Sequence, residues 1–197
     1  MARSRAPRVE VLFSDVPTLL SIAREAAAEL RRPWPQLTQD SPTVLRYVPP
    51  PGWERNTLTA IAFAAFAAEG FINHYGALWV PRATLDGARS TMLKWTDYPE
   101  AAGKRGIPED VLTALADVFE ARDGIAHPKA KWLTPQQVKA WGGRRSGRAE
   151  QALSLVGAVE RAIRALAEVD PRVDVAWMDG GAHPMNARVV EPDAPAG

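Results

Sequence analysis

Cysteine is absent from all 197 residues. Disulfides, thiolate nucleophiles and cysteine metal ligands are therefore excluded, and a cytoplasmic protein is the simple expectation. Histidine is scarce: only His74, His127 and His183 occur, at spacings that suggest no zinc site. The chain carries no Walker A sequence, no G-x-G-x-x-G, no H-E-x-x-H and no G-x-S-x-G elbow. No metal or other cofactor is expected. Its longest apolar run, Ala60 to Ala68, is too short to cross a bilayer. The basic start, Met1 to Arg8, is not followed by an apolar segment of signal-peptide length. Neither feature points to a membrane. β-branched alternation is almost missing as well, and no internal repeat is visible.

What remains is an alanine-rich chain with the signals of helix. The length fits one domain with a real core. Runs such as Glu25-Ala26-Ala27-Ala28-Glu29 favour helix strongly. The expected class is all-α, an up-down bundle of four to five helices. Residues 1–13 read as an N-terminal arm in which Val9 to Phe13 can pair as a strand, 14–169 as the helical domain, and 170–197 as a partly disordered extension.

Ser14 or Asp15 caps a first helix to about Arg32, with Val16, Leu19, Ala23, Ala26 and Leu30 inward. Six prolines between 33 and 52 mark an extended connection, with a short strand at Val44 to Val48. Asn56 or Thr57 caps a second helix to about Leu78, apolar on nearly every side and therefore central. Glu69 and Asn73 interrupt that surface on one face, at i and i+4. Either this face reaches solvent, or it forms a polar wall toward an arginine farther along the chain. A short helix spans Leu85 to Trp95, and another starts at Pro108 with Glu109 and Asp110 at its positive end. Thr134-Pro135 opens a short helix to Trp141. Gly142 to Arg148 reads as a flexible basic loop, and a last helix covers about 148–168. On that helix Glu160–Arg164 and Arg164–Glu168 are spaced for i, i+4 pairs.

The stretch Val118 to Pro128, V-F-E-A-R-D-G-I-A-H-P, carries the chemistry. Arg122 continues the apolar stripe of Leu115, Val118 and Phe119, and a guanidinium there needs a partner or a ligand. Gly124 and Pro128 are expected to break the helix and release His127 into a turn. Although the whole chain carries a net charge of only +1, charge is concentrated around this stretch. From Ala121 to Arg148 seven basic residues face Asp123 alone, whereas from Ala149 onward eight acids outnumber four bases. Such a basic block is either a solvated loop or a surface for a polyanion. Lys129, Lys131, Arg144, Arg145 and Arg148 are its RNA-binding candidates.

Arg122-Asp123-Gly124-Ile125-Ala126-His127 resembles the arginine, polar residue, three variable residues, histidine signature of HEPN domains. Ala64 to Asn73, with its glutamate and asparagine, is similar to the long early helix of several groups in that family. Met92-Leu93-Lys94-Trp95 is similar to the leucine-lysine-tryptophan stretch that often follows it. The resemblance covers about residues 57 to 168. It implies an all-helical domain that binds nucleotides or cleaves RNA without metal, as a homodimer with two motifs at one cleft.

The residues agree with that chemistry. A histidine near neutral pKa takes a proton from a ribose 2′-hydroxyl, and an arginine fork stabilises charge growing on the phosphate. Arg122 and His127 are the catalytic candidates, with Asp123, Glu69 and Asn73 in support: Asp123 to orient His127 or cap the next turn, Glu69 to hold the Arg122 fork, and Asn73 to bond a loop or a phosphate. The expected function is a metal-independent endoribonuclease. The rival is a non-catalytic HEPN-like helical dimer that binds nucleotides or a partner protein. The partner expected is RNA or a nucleotide. The residues choose no particular substrate, and leave open a toxin-like role with an antitoxin or another protein partner.

Overall fold

The computed structural model describes residues 8–12, 14–31, 38–41, 44–46, 51–87, 90–126, 135–181 and 186–190. Its body is helical. In chain order the elements are β1 (Arg8–Leu12), α1 (Val16–Leu30), β2 (Thr38–Ser41), β3 (Val44–Arg46), α2 (Trp53–Trp79), α3 (Arg82–Gly87), α4 (Thr91–Ala101), α5 (Glu109–Ala126), α6 (Pro135–Val169), a 3-10 turn (Ala176–Asp179) and β4 (Asn186–Val190). The four strands form two antiparallel ribbons, β1 with β4 and β2 with β3. The ribbons are minor additions to the helical class read from the sequence. No helix among the described residues is long and apolar enough to cross a membrane.

α2 is the centre, packing against α1, α3, α4, α5 and α6. It begins at Gly52, whose φ of +81° suits glycine, and Glu54 sits in its first turn. It ends where Val80 turns extended ahead of Pro81. Its alanines let neighbours approach closely: Ala60, Ala64, Ala67 and Ala68 are fully enclosed. At Gly76 the approach is closer still, since a Cβ there would lie 2.5 Å from Tyr98 of α4. The apolar surface is not closed on all sides, however. Leu58 and Phe66 are 41% and 44% exposed, the latter edge-on to Phe63.

α1 buries Val16, Leu20, Ala23, Ala26, Ala27 and Leu30; Leu19, expected inward, is only partly buried, and Leu20 and Ala27 join the stripe instead. Asp15 occupies the cap position, but Ser14 supplies the oxygen that accepts the Val16 N–H, at 3.3 Å. In place of one helix between Leu85 and Trp95, α3 and α4 are separate. Ser90 caps α4 by accepting from the Leu93 N–H, at 3.3 Å. Trp95 is fully buried and stacks with Phe71.

Two helix ends differ from expectation. α5 continues through Gly124 to Ala126, because glycine weakens a helix interior by about 1 kcal/mol but does not forbid its dihedrals. α6 likewise runs unbroken for 35 residues from Pro135 to Val169, across Gly142, Gly143 and Gly147, where a loop was expected. Proline at the first position leaves every later N–H of α6 available to the helix.

The segment after α6 lies on the body. Trp177 and Met178 are buried, and the Arg24 guanidinium of α1 donates to the Met178 carbonyl at 2.9 Å. The expected i, i+4 pairs along α6 give way to tertiary ones. Glu160 pairs with Arg24, and Arg164 holds Asp179 through two hydrogen bonds of 2.7 and 3.2 Å.

Candidate functional site

The last two turns of α5 carry the arginine. Leu115, Val118 and Phe119 are buried on the side facing the core, and Arg122 follows one turn after Val118. Its side chain is 27% exposed, as a cation on the edge of an apolar stripe must be unless it is fully paired. The guanidinium carbon stands 5.8 Å from the Phe119 ring centre. Nη1 lies 3.9 Å from Glu69 Oε2 on α2, one of the two alternatives the sequence left open, though at the outer limit of an ion pair. Nε lies 2.9 Å from Asp123 Oδ1. That approach is ionic only: the buried Nε has no hydrogen-bond partner among the described residues, so its N–H is not aligned with the carboxylate. Arg122 is thus flanked by two carboxylates and keeps unused donor capacity.

Asn73, one turn beyond Glu69, is exposed and bonded elsewhere. Its Oδ1 accepts from Lys94 Nζ of α4 at 2.8 Å. The polar wall therefore consists of two neighbouring contacts, Glu69 with Arg122 and Asn73 with Lys94. It links α2 to both α5 and α4.

His127, Lys129 and Lys131 lie outside the described residues. Arg144, Arg145 and Arg148 all fall on α6. The side chains of Arg144 and Arg145 lie outside the described ones, whereas Arg148 is exposed. Arg148 lines a cleft of about 410 Å³ between α2, α5 and α6, together with Asp117 and Glu120 of α5. The structure thus brings together Arg122, Asp123 and Glu69, and sets Arg148 of α6 across a cleft that the last turns of α5 also line.

A second polar cluster was not expected from the sequence. Asp170, just past α6, has no exposed surface. It accepts from Tyr75 Oη of α2 at 3.1 Å and from Arg172 Nε at 2.8 Å, with Lys104 Nζ 3.5 Å away. The Arg172 guanidinium lies 4.3 Å above the Trp79 ring. Its hydrogen bonds hold the Asp170 carboxyl well below the usual carboxylate range, against the opposing effect of burial. Burial, then the bond and charge of Asp170, push the Tyr75 hydroxyl up to about 12. A small cavity of about 90 Å³ adjoins the cluster, between Phe71, Tyr75, Trp79 and Trp177. The only local cue was the D-P-R spacing of Asp170 and Arg172. Tyr75 lies 95 residues away in the chain, so periodicity cannot connect it.

Comparison of the chain with family models, with curated proteins and with solved structures finds no match.

Proposed function

We propose that the protein is a metal-independent endoribonuclease of HEPN-like helical-bundle architecture, acting through Arg122 and His127 at a homodimer cleft. The observation that carries this reading is the position of Arg122. It is a partly buried guanidinium at the end of α5 whose Nε pairs ionically with Asp123 but makes no hydrogen bond among the described residues, next to the histidine-bearing segment and in reach of Glu69. In the proposed reaction one His127 removes the 2′-hydroxyl proton. The freed oxygen attacks phosphorus, and the bond to the 5′-oxygen breaks. A proton returns to that leaving oxygen, giving a 2′,3′-cyclic phosphate and a 5′-hydroxyl. Arg122 stabilises the charge on the phosphoryl oxygens. Two proton carriers are needed, and each chain offers one His127 near the motif. Glu69 already faces the Arg122 guanidinium and is assigned to holding that fork, not to the second proton transfer. A dimer with two His127 side chains at one cleft supplies both.

The test is incubation of the full chain with RNA in EDTA. Expected are cyclic-phosphate ends and a bell-shaped pH profile with limbs between about pH 5 and 8. His127→Ala should lower cleavage by about 10²-fold or more. Arg122→Ala should do the same while circular dichroism stays unchanged, and Asp123→Asn should be milder. Cleavage by His127→Ala at the wild-type rate, or cleavage that requires added Mg²⁺, rejects the mechanism.

One observation favours the rival reading of a non-catalytic dimer that binds nucleotides or a partner protein. Glu69 and Asp123 already offset the Arg122 charge, which suits a structural ion pair. On that reading RNA or nucleotide binds, and no product forms in the same assay.

A further inference from the structure

The cleft beside the motif has walls of distinct chemistry. Its apolar floor is made by Leu58 and Ile61 of α2 and by Ala121 and Ile125 of α5. Asp117 and Glu120, one turn apart on α5, stand on one side. Arg148 and Gln151, one turn apart on α6, stand on another. Both carboxylates and the guanidinium are exposed to the same space of about 410 Å³, yet none of the three forms an ion pair or side-chain hydrogen bond among the described residues. Gly124 completes the lining, and a Cβ built there would meet no atom within 4 Å, so the α5 backbone is open to close approach. The volume lies in the range of small-molecule sites, and its lining is divided between the apolar floor and an equally large polar share.

We propose that this cleft seats a guanine nucleotide. The base lies on the apolar floor, an α5 carboxylate accepts from its N1–H and 2-amino group, and Arg148 holds the phosphate. Guanine fits for a reason of donors and acceptors. A carboxylate is an acceptor with two oxygens and offers no proton while ionised. Among the four RNA bases only guanine presents two adjacent donors on its Watson–Crick edge. Adenine and cytosine set one donor beside an acceptor, and uracil sets its donor between two acceptors, so each turns at least one lone pair toward the carboxylate. The guanidinium on the facing helix then takes the anionic end of the same ligand. Gly124 and Ile125 belong to the turn of α5 that precedes His127 in sequence, so this cleft is the base-specificity element of the proposed nuclease. That last assignment rests on the ribonuclease reading; binding to the cleft does not.

The experiment is calorimetric titration of the full chain, at fixed salt, with the 5′-monophosphates of guanosine, adenosine, cytidine and uridine. Guanosine 5′-monophosphate should bind about tenfold tighter or more than the other three, the scale of one bidentate base contact. The double variant Asp117→Asn, Glu120→Gln should lose that preference. Arg148→Ala should weaken all four together. Gly124→Leu, which adds a good helix former and fills the cleft, should weaken guanosine 5′-monophosphate while the helical signal holds or rises. Equal affinities, no saturable binding, or a preference unchanged in the double variant overturns the proposal. Guanine preference in a protein that cleaves no RNA rejects the nuclease reading alone; RNA cleavage without guanine preference rejects the cleft alone.

Discussion

Asp170 shows how much one side chain decides in this protein. A carboxylate with no exposed surface is tolerated because Tyr75, Arg172 and Lys104 surround it. Removing one partner of such a cluster costs about 3–5 kcal/mol. Arg172 is 39% exposed and keeps some hydration, so Asp170→Asn should fall near the lower end, read from urea unfolding. The pH dependence has two limbs. Folding lowers the Asp170 pKa, so its contribution is present above the ordinary carboxylate value and is lost as pH falls below it. Folding raises the Tyr75 pKa from 10.0 to about 12, so that contribution is present below pH 10 and is lost as pH rises from there to 12. Asp170→Asn should flatten the acid limb and Tyr75→Phe the alkaline one. Limbs that match wild type in both variants would show that the cluster does not govern acid and alkaline stability. Arg122 is the contrasting residue. Its ion pairs are half in solvent, so Arg122→Ala should cost little stability while carrying the effect on activity.

Glycines on α2 and α5 make a pair of opposite tests at the level of the element. At Gly76 an added methyl would meet the Tyr98 ring and Leu85, at 2.5 to 3.0 Å. Gly76→Ala should therefore destabilise by about 1–3 kcal/mol, because the ring has to leave its place between α2 and α4. At Gly124 the same methyl meets nothing within 4 Å, and the residue is helical. Gly124→Ala should stabilise by about 0.5–1 kcal/mol through helix propensity alone. Thermal unfolding of the two variants should shift in opposite directions; a shift of the same sign would mean that the close α2–α4 contact or the helicity at Gly124 is misassigned. The contrast also bears on α5 as the carrier of the motif. A helix that continues past Gly124 adds Gly124, Ile125 and Ala126 to the same rigid element that carries Arg122.

At the scale of the whole molecule the charge distribution makes its own prediction. The basic block from Ala121 to Arg148 should give RNA binding that weakens with salt, since each phosphate contact releases counterions. Because α6 is continuous, Arg144, Arg145 and Arg148 stand on one helix instead of a loop. Their joint replacement by alanine should flatten the plot of log affinity against log salt, and an unchanged slope would remove that helix from the RNA surface. If two copies share one catalytic cleft, specific activity per chain should fall on dilution below the dimer dissociation constant. Full activity in a monomeric variant would reject the shared cleft and leave the roles of Arg122 and His127 to be decided separately.

Sequence alone determined the helical class, the central place of α2, the inward stripe of α5 and most of that of α1. Each of these follows from apolar spacing along a single element, which periodicity encodes. It also set Arg122 in line with the α5 stripe, because one turn of helix fixes which residues share a side, and left Glu69 as its partner one of two alternatives. Only the tertiary structure decided the rest. Propensity sets Gly124 and the glycines of α6 against helix, yet both helices continue, since a cost of about 1 kcal/mol per glycine can be outweighed by context. The partners of Glu160 and Arg164 come from α1 and the 3-10 turn, not from one turn away. The Asp170 cluster and the three-helix cleft join residues far apart in the chain. No local pattern specifies such meetings, because packing sets them only once every helix is in place.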